Sequence, residues 1–178
     1  KEARIPHWVY YCCMPMGDYV NRFMDTPLPK VRMTGMLLYR MGADGFLHWG
    51  YNYWDQIEQD KMLDVFVQGD AGAWPNIPYG DPFVVYPGHE GPVSSTRWEI
   101  FGESLQDYAM LQTAGIDPED PLLQEIVDYH IFPKTEGWIL KTVLEIMKRK
   151  NGGAETAPAS KPPQWQFTTT QPADDWNT

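Results

Sequence analysis

The segment Gly45-Phe-Leu-His-Trp-Gly-Tyr-Asn-Tyr-Trp54 determines how the rest of the chain is interpreted. Five of its ten residues are aromatic, and it follows the turn-like Gly42-Ala-Asp-Gly45. Aromatic residues favour strands, so residues 45–52 are predicted to form one. Two interpretations of the rings stay open. Composition alone favours core packing. The alternative is a surface for a flat ligand such as a sugar, whose axial C–H groups pack on rings while its hydroxyls need polar partners such as Asn52.

The sequence before this segment predicts a strand and a helix. Trp8–Cys13 is a continuous apolar run, which is typical of a strand buried on both faces in a parallel sheet. A helix is predicted from Pro27-Leu-Pro29 to about Met41, because proline suits a first helical turn and Gly42 suits the position after a helix end. The order strand, helix, strand predicts one βαβ unit with parallel pairing.

The sequence after the aromatic segment predicts a long excursion and then a helix. Residues 53–93 are rich in Gly, Pro and Asp, with a short strand predicted at Phe83–Tyr86. Connections of this length are uncommon unless they are functional. The following helix is predicted over residues 94–114, with Thr96 and Glu99 forming a capping box.

The C-terminal third predicts two more helices and a tail. The helices are expected over residues 121–132 and 135–150, whereas residues 152–178 have the composition of a linker or disordered tail. Residues 1–151 are therefore expected to form the structured region. Because two strands leave sheet edges and a core uncovered, further strands are expected upstream of Lys1.

Charge and cysteine content narrow the possible partners. The chain has 178 residues and a net charge of -10, which argues against nucleic acid and anionic membrane surfaces as partners. No apolar stretch is long enough for a transmembrane helix. Cys12 and Cys13 are adjacent, and neighbours on a strand point to opposite faces, so they are predicted to be two free thiols in a strand. No metal-ligand spacing or cofactor-binding motif is present.

Four stretches together carry a resemblance to a known family. They are Trp8-Val-Tyr-Tyr-Cys-Cys13, residues 42–54, Gly80-Asp-Pro-Phe-Val-Val-Tyr-Pro-Gly88, and Ser94-Ser-Thr-Arg-Trp-Glu99 with Gly102-Glu-Ser-Leu-Gln-Asp-Tyr108. In this order they resemble the C-terminal part of the catalytic domain of glycoside hydrolase family 123, the β-N-acetylgalactosaminidase-like proteins (also described as domain of unknown function 4091).

This resemblance implies an α/β fold, the C-terminal portion of a (β/α)8 TIM-type barrel. The chain would supply about two barrel strands with their flanking helices, and the active site would lie at the C-terminal ends of the strands. On this analogy residues 53–93 form a lid loop over that site. A secreted or periplasmic parent protein is also implied.

The chemistry that the resemblance implies is substrate-assisted hydrolysis of 2-acetamido sugars such as N-acetylgalactosamine. The sugar's acetamido group attacks the anomeric carbon, while one carboxyl group acts as acid and then base and its neighbour orients the acetamido group. In the family this is an adjacent Asp-Glu pair after an earlier strand. This sequence has no such pair, and Glu119-Asp120 lies between predicted helices. The pair is therefore expected upstream, this chain alone is expected to be inactive, and no cofactor is implied.

Candidate sugar-binding residues lie near the presumed strand ends and in the long excursion. Trp49 is the leading candidate for a ring beneath the sugar, with barrel core as its alternative. Asn52 either binds a sugar group or caps a turn, and Asp81 either binds hydroxyls or simply forms a turn in Gly80-Asp-Pro82. The full set of candidates is Tyr11, Trp49, Tyr51, Asn52, Trp54, Asp81 and Tyr86.

Two hypotheses of other functional classes compete with the hydrolase hypothesis. One is a non-catalytic carbohydrate-binding module that uses Trp49, Tyr51 and Trp54. The other is an assembly module whose open strand edges pair with another chain.

Overall fold

The computed structural model describes residues 5–56 and 61–152. Its strands are β1 Trp8–Tyr10, β2 Gly45–Leu47, β3 Asp55–Gln56, β4 Lys61–Met62, β5 Val85–Tyr86 and β6 Val93–Ser94. Its α-helices are α1 Leu28–Arg40, α2 Thr96–Thr113 and α3 Glu136–Gly152. This is an α/β structure with short strands. The predicted tail lies outside the described residues, apart from residue 152, which ends α3.

The predicted βαβ unit is confirmed. Strands β1 and β2 pair in parallel, with Trp8 opposite Gly45 and Tyr10 opposite Leu47, and α1 connects them. Both strands are shorter than predicted. Beyond β2 the chain pairs with its own excursion instead, through an isolated antiparallel bridge at Asn52.

The two faces of this small sheet have different surroundings. Phe46 packs against the core formed by the helices. The opposite face, formed by Trp8, Tyr10 and Leu47 and called the open face below, is exposed by 60%, 53% and 49%. The prediction that Trp8–Cys13 is buried on both faces is therefore wrong for the described chain, because helices cover only one side of the strands. The Trp8 ring lies over Gly45, where a Cβ atom would come within 2.6 Å of it.

Helices α1 and α2 pack closely against each other. A Cβ atom on Gly35 would lie 1.7 Å from the carbonyl oxygen of Ser104, so the two backbones touch at this point. Arg32 on α1 holds the buried Asp107 on α2 through two hydrogen bonds of 2.9 and 3.2 Å. The principal core cluster is Tyr11, Val20, Met33, Met36, Leu37, Leu111, Ile116, Leu123, Ile126, Phe132, Ile139 and Ile146.

The start of α2 differs from the predicted capping box by one residue. Ser95 is the N-cap, and its hydroxyl accepts a 3.2 Å hydrogen bond from the Trp98 amide. Glu99 instead accepts a hydrogen bond from the Ser94 hydroxyl. The reason is that the chain leaves β6 in an extended conformation at Ser95, which makes Thr96 the first helical residue.

The helix predicted over residues 121–132 is also wrong. Only a 3₁₀ turn, Pro121–Leu123, forms there. The Asp128 carboxylate accepts hydrogen bonds of 2.8 Å from the amides of both His130 and Ile131, which offers the backbone an alternative to helix. The predicted helix at 135–150 is confirmed as α3.

Cys12 and Cys13 are free thiols, but they lie in a bend after β1 rather than in the strand. The strand ends because the Cys12 amide bonds to the Met14 carbonyl and the Cys12 carbonyl accepts from the Asn21 side chain. The bend places the two sulfur atoms 3.5 Å apart. The prediction of opposite faces is therefore wrong at this pair.

The long excursion contains two small hairpins, β3–β4 and β5–β6, and its predicted strand appears as Val85–Tyr86. The excursion also has a small core of its own, formed by the buried residues Val65, Ala71 and Phe83. None of the helices in the described residues has the length and apolar character to span a membrane.

Candidate functional site

The carboxyl ends of β1 and β2 bring several polar and aromatic side chains together. Tyr11 follows β1 directly, and His48 and Trp49 follow β2. Because the strands are parallel, these residues meet at the same edge of the sheet.

Asp81 reaches this edge from the excursion. A Cβ atom on Gly50 would lie 2.2 Å from the Asp81 carbonyl oxygen, so glycine is needed where the two segments cross. The adjacent Gly80 has a φ of +82°, a conformation that favours glycine. The sequence-predicted turn is present, since the Asp81 amide bonds to the Pro78 carbonyl at 3.1 Å.

The Asp81 side chain is fully buried and faces two aromatic N–H groups. Trp49 Nε1 donates to Asp81 Oδ2 at 2.7 Å. His48 Nε2 lies 3.4 Å from Asp81 Oδ1, which is longer than a normal hydrogen bond, and neither atom has a closer partner among the described residues. The Gly50 amide donates to His48 Nδ1 at 3.0 Å, so the ring proton belongs on Nε2, pointing at Asp81. Burial lowers the pKa of His48, which keeps the ring neutral at pH 7.

Two buried arginines hold the surrounding loops. Arg97 donates to the carbonyls of Arg22, Gly80 and Phe83, and it therefore anchors the turn that carries Asp81. Arg22 donates to the Gly50 carbonyl, and burial lowers its pKa to about 10, so it stays charged at pH 7. Both guanidinium groups interact electrostatically with Asp81. The carboxylate is thus set in a rigid, positively charged surrounding.

Trp49 also belongs to an aromatic patch, formed by Trp49, Tyr53 and Trp74. The Trp49 and Trp74 ring centroids are 5.0 Å apart with 30° between the planes, and Tyr53 meets Trp49 edge-on at 5.4 Å. Trp74 and Tyr53 are exposed, and Trp49 is half-buried. This gives a surface of rings at the strand ends with a buried hydrogen-bond anchor beneath it.

Sequence reasoning did not find Trp74, Arg22 or the role of His48. Trp74 lies in a Gly- and Pro-rich loop without periodicity, where the available signal was a large aromatic residue in a polar segment. The structure buries the His48 side chain against Asp81, a contact that its place in the predicted strand does not indicate.

Tyr11 lies at the same strand ends but not in the aromatic patch. Tyr11 is buried and packs on Phe46 and His48 on the helix side of the sheet, whereas its neighbour Tyr10 faces the open side. A hydrogen bond with Cys12 is the main cause that raises the pKa of Tyr10 to about 12.

Four predicted residues lie away from the aromatic patch. Tyr51 meets Trp98 edge-on at 5.2 Å, and Asn52 is exposed and bridges to Phe83 through its backbone. Trp54 and Tyr86 pack against the second core cluster. Of the predicted set, the structure therefore joins Trp49 with Asp81.

Within residues 5–56 and 61–152, no group of three His, Cys, Asp or Glu side chains is placed to hold a metal ion. Glu119 forms an ion pair with Arg40, and Asp120 accepts from the Leu122 amide at the start of the 3₁₀ turn. Both acidic residues therefore have structural roles.

The model of the glycoside hydrolase 123 catalytic domain matches residues 1–114 of the chain. The chain belongs to this family. The glycoside hydrolase 123 match includes β1, β2, the excursion and α2, and so it contains Asp81 and the whole aromatic patch, whereas α3 lies beyond it. Family membership indicates a glycoside hydrolase catalytic domain with a carbohydrate as its class of substrate. Among curated proteins there was no match.

Proposed function

We propose that the chain is the C-terminal part of a β-N-acetylgalactosaminidase-type (β/α)8 barrel and supplies the aromatic floor of its sugar site. The observation that carries the proposal is Trp49, which lies at the end of β2 with its N–H held by Asp81 and its ring beside Trp74 and Tyr53. Rings presented in this way suit the apolar face of a sugar, and barrel active sites lie at strand carboxyl ends.

The catalytic carboxyl pair belongs to another part of the barrel in this proposal. The sequence contains no adjacent Asp-Glu, and the open face offers an apolar surface for further strands. Substrate-assisted cleavage would then proceed with the acetamido group as nucleophile and the outside pair as acid/base and orienting group. The role of this chain is to hold the sugar ring and to cover it with the excursion as a lid.

The test measures sugar binding and hydrolysis separately. N-acetylgalactosamine is titrated into the 178-residue chain and followed through tryptophan indole N–H signals in an NMR spectrum. We expect the Trp49 and Trp74 signals to shift, and we expect Trp49→Ala and Trp74→Ala to weaken binding about tenfold, in line with the energy of a ring contact. Galactose, which lacks the acetamido group, is expected to bind less tightly.

A matched control for Trp74→Ala is Phe66→Ala. Both rings are exposed on the excursion, but Phe66 stacks on Tyr86, away from the patch. Equal loss of binding in the two variants would contradict a specific role of the patch.

Hydrolysis of a chromogenic N-acetyl-β-galactosaminide is expected only from a longer protein in which an Asp-Glu pair at a strand end precedes this chain. Turnover by the 178-residue chain itself would overturn the assignment of the pair to an outside segment.

A second candidate is a non-catalytic carbohydrate-binding module. It is favoured by the core cluster, which joins all three helices and would support independent folding. Sugar binding by the chain without hydrolysis by any longer form would select this candidate. The assembly module is selected instead if the chain forms concentration-dependent oligomers and ignores sugars.

A further inference from the structure

We propose that Asp81 is a positioning residue that fixes the Trp49 indole through one carboxylate oxygen, while its other oxygen faces the His48 ring. The proposal rests on the proposed function for its consequence in sugar binding, while the positioning itself has its own readout.

The first step concerns the geometry of the donors. One oxygen accepts the Trp49 N–H at 2.7 Å, and the other is the nearest acceptor for His48 Nε2 at 3.4 Å. Both donors belong to rigid aromatic rings on neighbouring residues of one chain segment. A single carboxylate therefore constrains the direction of Trp49 by a hydrogen bond and faces the preceding His48 ring with its other oxygen.

The second step concerns the tautomer of His48. The Gly50 amide occupies Nδ1 as a donor, which leaves Nε2 as the protonated nitrogen. The nitrogen that carries the proton faces an oxygen without another partner among the described residues. Removing the carboxylate would remove the oxygen that lies 3.4 Å from the buried His48 Nε2, and folded proteins keep buried polar groups near a partner.

The third step concerns the rigidity of Asp81 itself. Its turn is held by Arg97 through the Gly80 and Phe83 carbonyls, at 2.9 and 3.0 Å. Gly50 lies against its backbone with no room for a side chain. The carboxylate therefore has little freedom to move, and its position determines the orientation of the Trp49 indole.

The consequence is a link between the buried carboxylate and the exposed patch. Trp49 is hydrogen-bonded to the buried Asp81, and Trp74 and Tyr53 both contact its ring. If the indole turns away from Asp81, the ring surface that they share changes shape.

The test uses Asp81→Asn, which keeps the shape of the side chain but places an amide donor against one of the two ring N–H groups. The first readout is the Trp49 indole N–H resonance and its hydrogen exchange, with Trp49→Phe used to assign it. We expect an altered shift and at least tenfold faster exchange. Asp70→Asn is the matched control, because Asp70 lies in the same excursion and its carboxylate accepts from the Gly72 amide.

The second readout is a double-substitution cycle on the affinity for N-acetylgalactosamine. We expect Asp81→Asn to weaken binding about tenfold in the wild-type chain but less than twofold in Trp49→Phe, whose ring has no N–H to be held. A purely structural role of Asp81 predicts the same loss in both backgrounds and would overturn the proposal.

The outcomes separate this inference from the proposed function. An unchanged Trp49 resonance in Asp81→Asn overturns the positioning role, whatever the sugar data show. A changed resonance in a chain that binds no sugar supports the positioning role and refutes the proposed function. If Asp81→Asn does not fold, Trp49→Phe decides instead, because this variant has no indole N–H to bind the Asp81 carboxylate. We then expect the His48 imidazole resonances to change, and unchanged resonances would overturn the positioning role.

Discussion

At the scale of single residues, His48 makes the stability of this protein depend on pH. The ring is largely buried, packs edge-on against Tyr11, and faces Asp81 and Arg22. Burial is the main cause of its lowered pKa, and the Arg22 charge acts in the same direction, whereas Asp81 opposes them. In the unfolded chain the same histidine takes up a proton near its ordinary value of about 6.5.

We therefore predict that the free energy of unfolding falls as the pH drops below about 6.5, by up to about 1.4 kcal/mol per pH unit, because the unfolded state then binds a proton that the folded state refuses. Above that pH His48 has no further effect on the free energy of unfolding. Urea unfolding between pH 5.0 and 7.5 measures how this free energy depends on pH.

The control for this prediction is His48→Gln, whose amide can accept from Gly50 and donate to Asp81 but does not titrate. The difference in the free energy of unfolding between wild type and variant, followed over pH, isolates the effect of His48 from that of Asp107. The pKa of Asp107 is raised, which changes the stability with pH in the opposite direction. Parallel pH profiles for the two proteins would show that His48 is not the source.

The sequence predicted residue types better than residue directions. Trp49 and Asp81 were candidates from their surroundings in the sequence, but their mutual hydrogen bond joins positions 32 residues apart and depends on the crossing at Gly50. Likewise, the strand rule placed Cys12 and Cys13 on opposite faces, and a bend made by Met14 and Asn21 overrode it. Such effects arise from tertiary contacts that local pattern does not contain.

At the scale of elements, the contact between α1 and α2 depends on Gly35. Its Cα faces the Ser104 carbonyl, and the neighbouring Arg32–Asp107 pair bridges the same two helices. Close backbone approach is possible only without a side chain at this position.

We predict that Gly35→Ala destabilises the fold by about 2 kcal/mol or more, because a methyl group would overlap the Ser104 backbone and force the helices apart. Gly102→Ala is the matched substitution on α2, where a Cβ atom would meet nothing within 4 Å. It should instead stabilise by about 0.5–1 kcal/mol, since alanine is the better helix former. Thermal or urea unfolding of both variants measures these changes. Equal changes in the free energy of unfolding would contradict the backbone contact at Gly35.

The long helices were predictable, whereas helix boundaries and short strands were not. α1 was predicted from the prolines at its start and from Gly42 after its end, and α3 was predicted to end at about residue 150 but extends to Gly152. The segment after Pro121 has similar composition, but the Asp128 side chain captures amides that a helix would need. Competition of this kind depends on one side-chain rotamer, which sequence period does not encode.

At the scale of the whole molecule, the open face leaves apolar side chains exposed on one side of the sheet in the described structure. Trp8, Tyr10 and Leu47 lie side by side on the uncovered side of β1 and β2. Contiguous exposed apolar groups of this kind mark a surface that is covered by something else in use.

We predict that the 178-residue chain binds a hydrophobic dye strongly, and that the double variant Trp8→Lys, Leu47→Lys loses most of this binding while its free energy of unfolding changes by less than about 1 kcal/mol. In a longer protein whose added strands cover this face, the same double change should be severely destabilising, because it would bury two charges. If the double variant is equally stable in both proteins, the added segment does not cover the open face.

The near-parallel indoles of Trp49 and Trp74 have an optical consequence. Two identical chromophores 5.0 Å apart and inclined by 30° share their electronic excitation, so they should produce paired bands of opposite sign in the circular dichroism spectrum. Any ligand or solvent that draws the excursion away from β2 would erase that couplet while the helical signal persists. The molecule therefore carries its own unlabelled reporter of the contact between Trp74 on the excursion and Trp49 after β2.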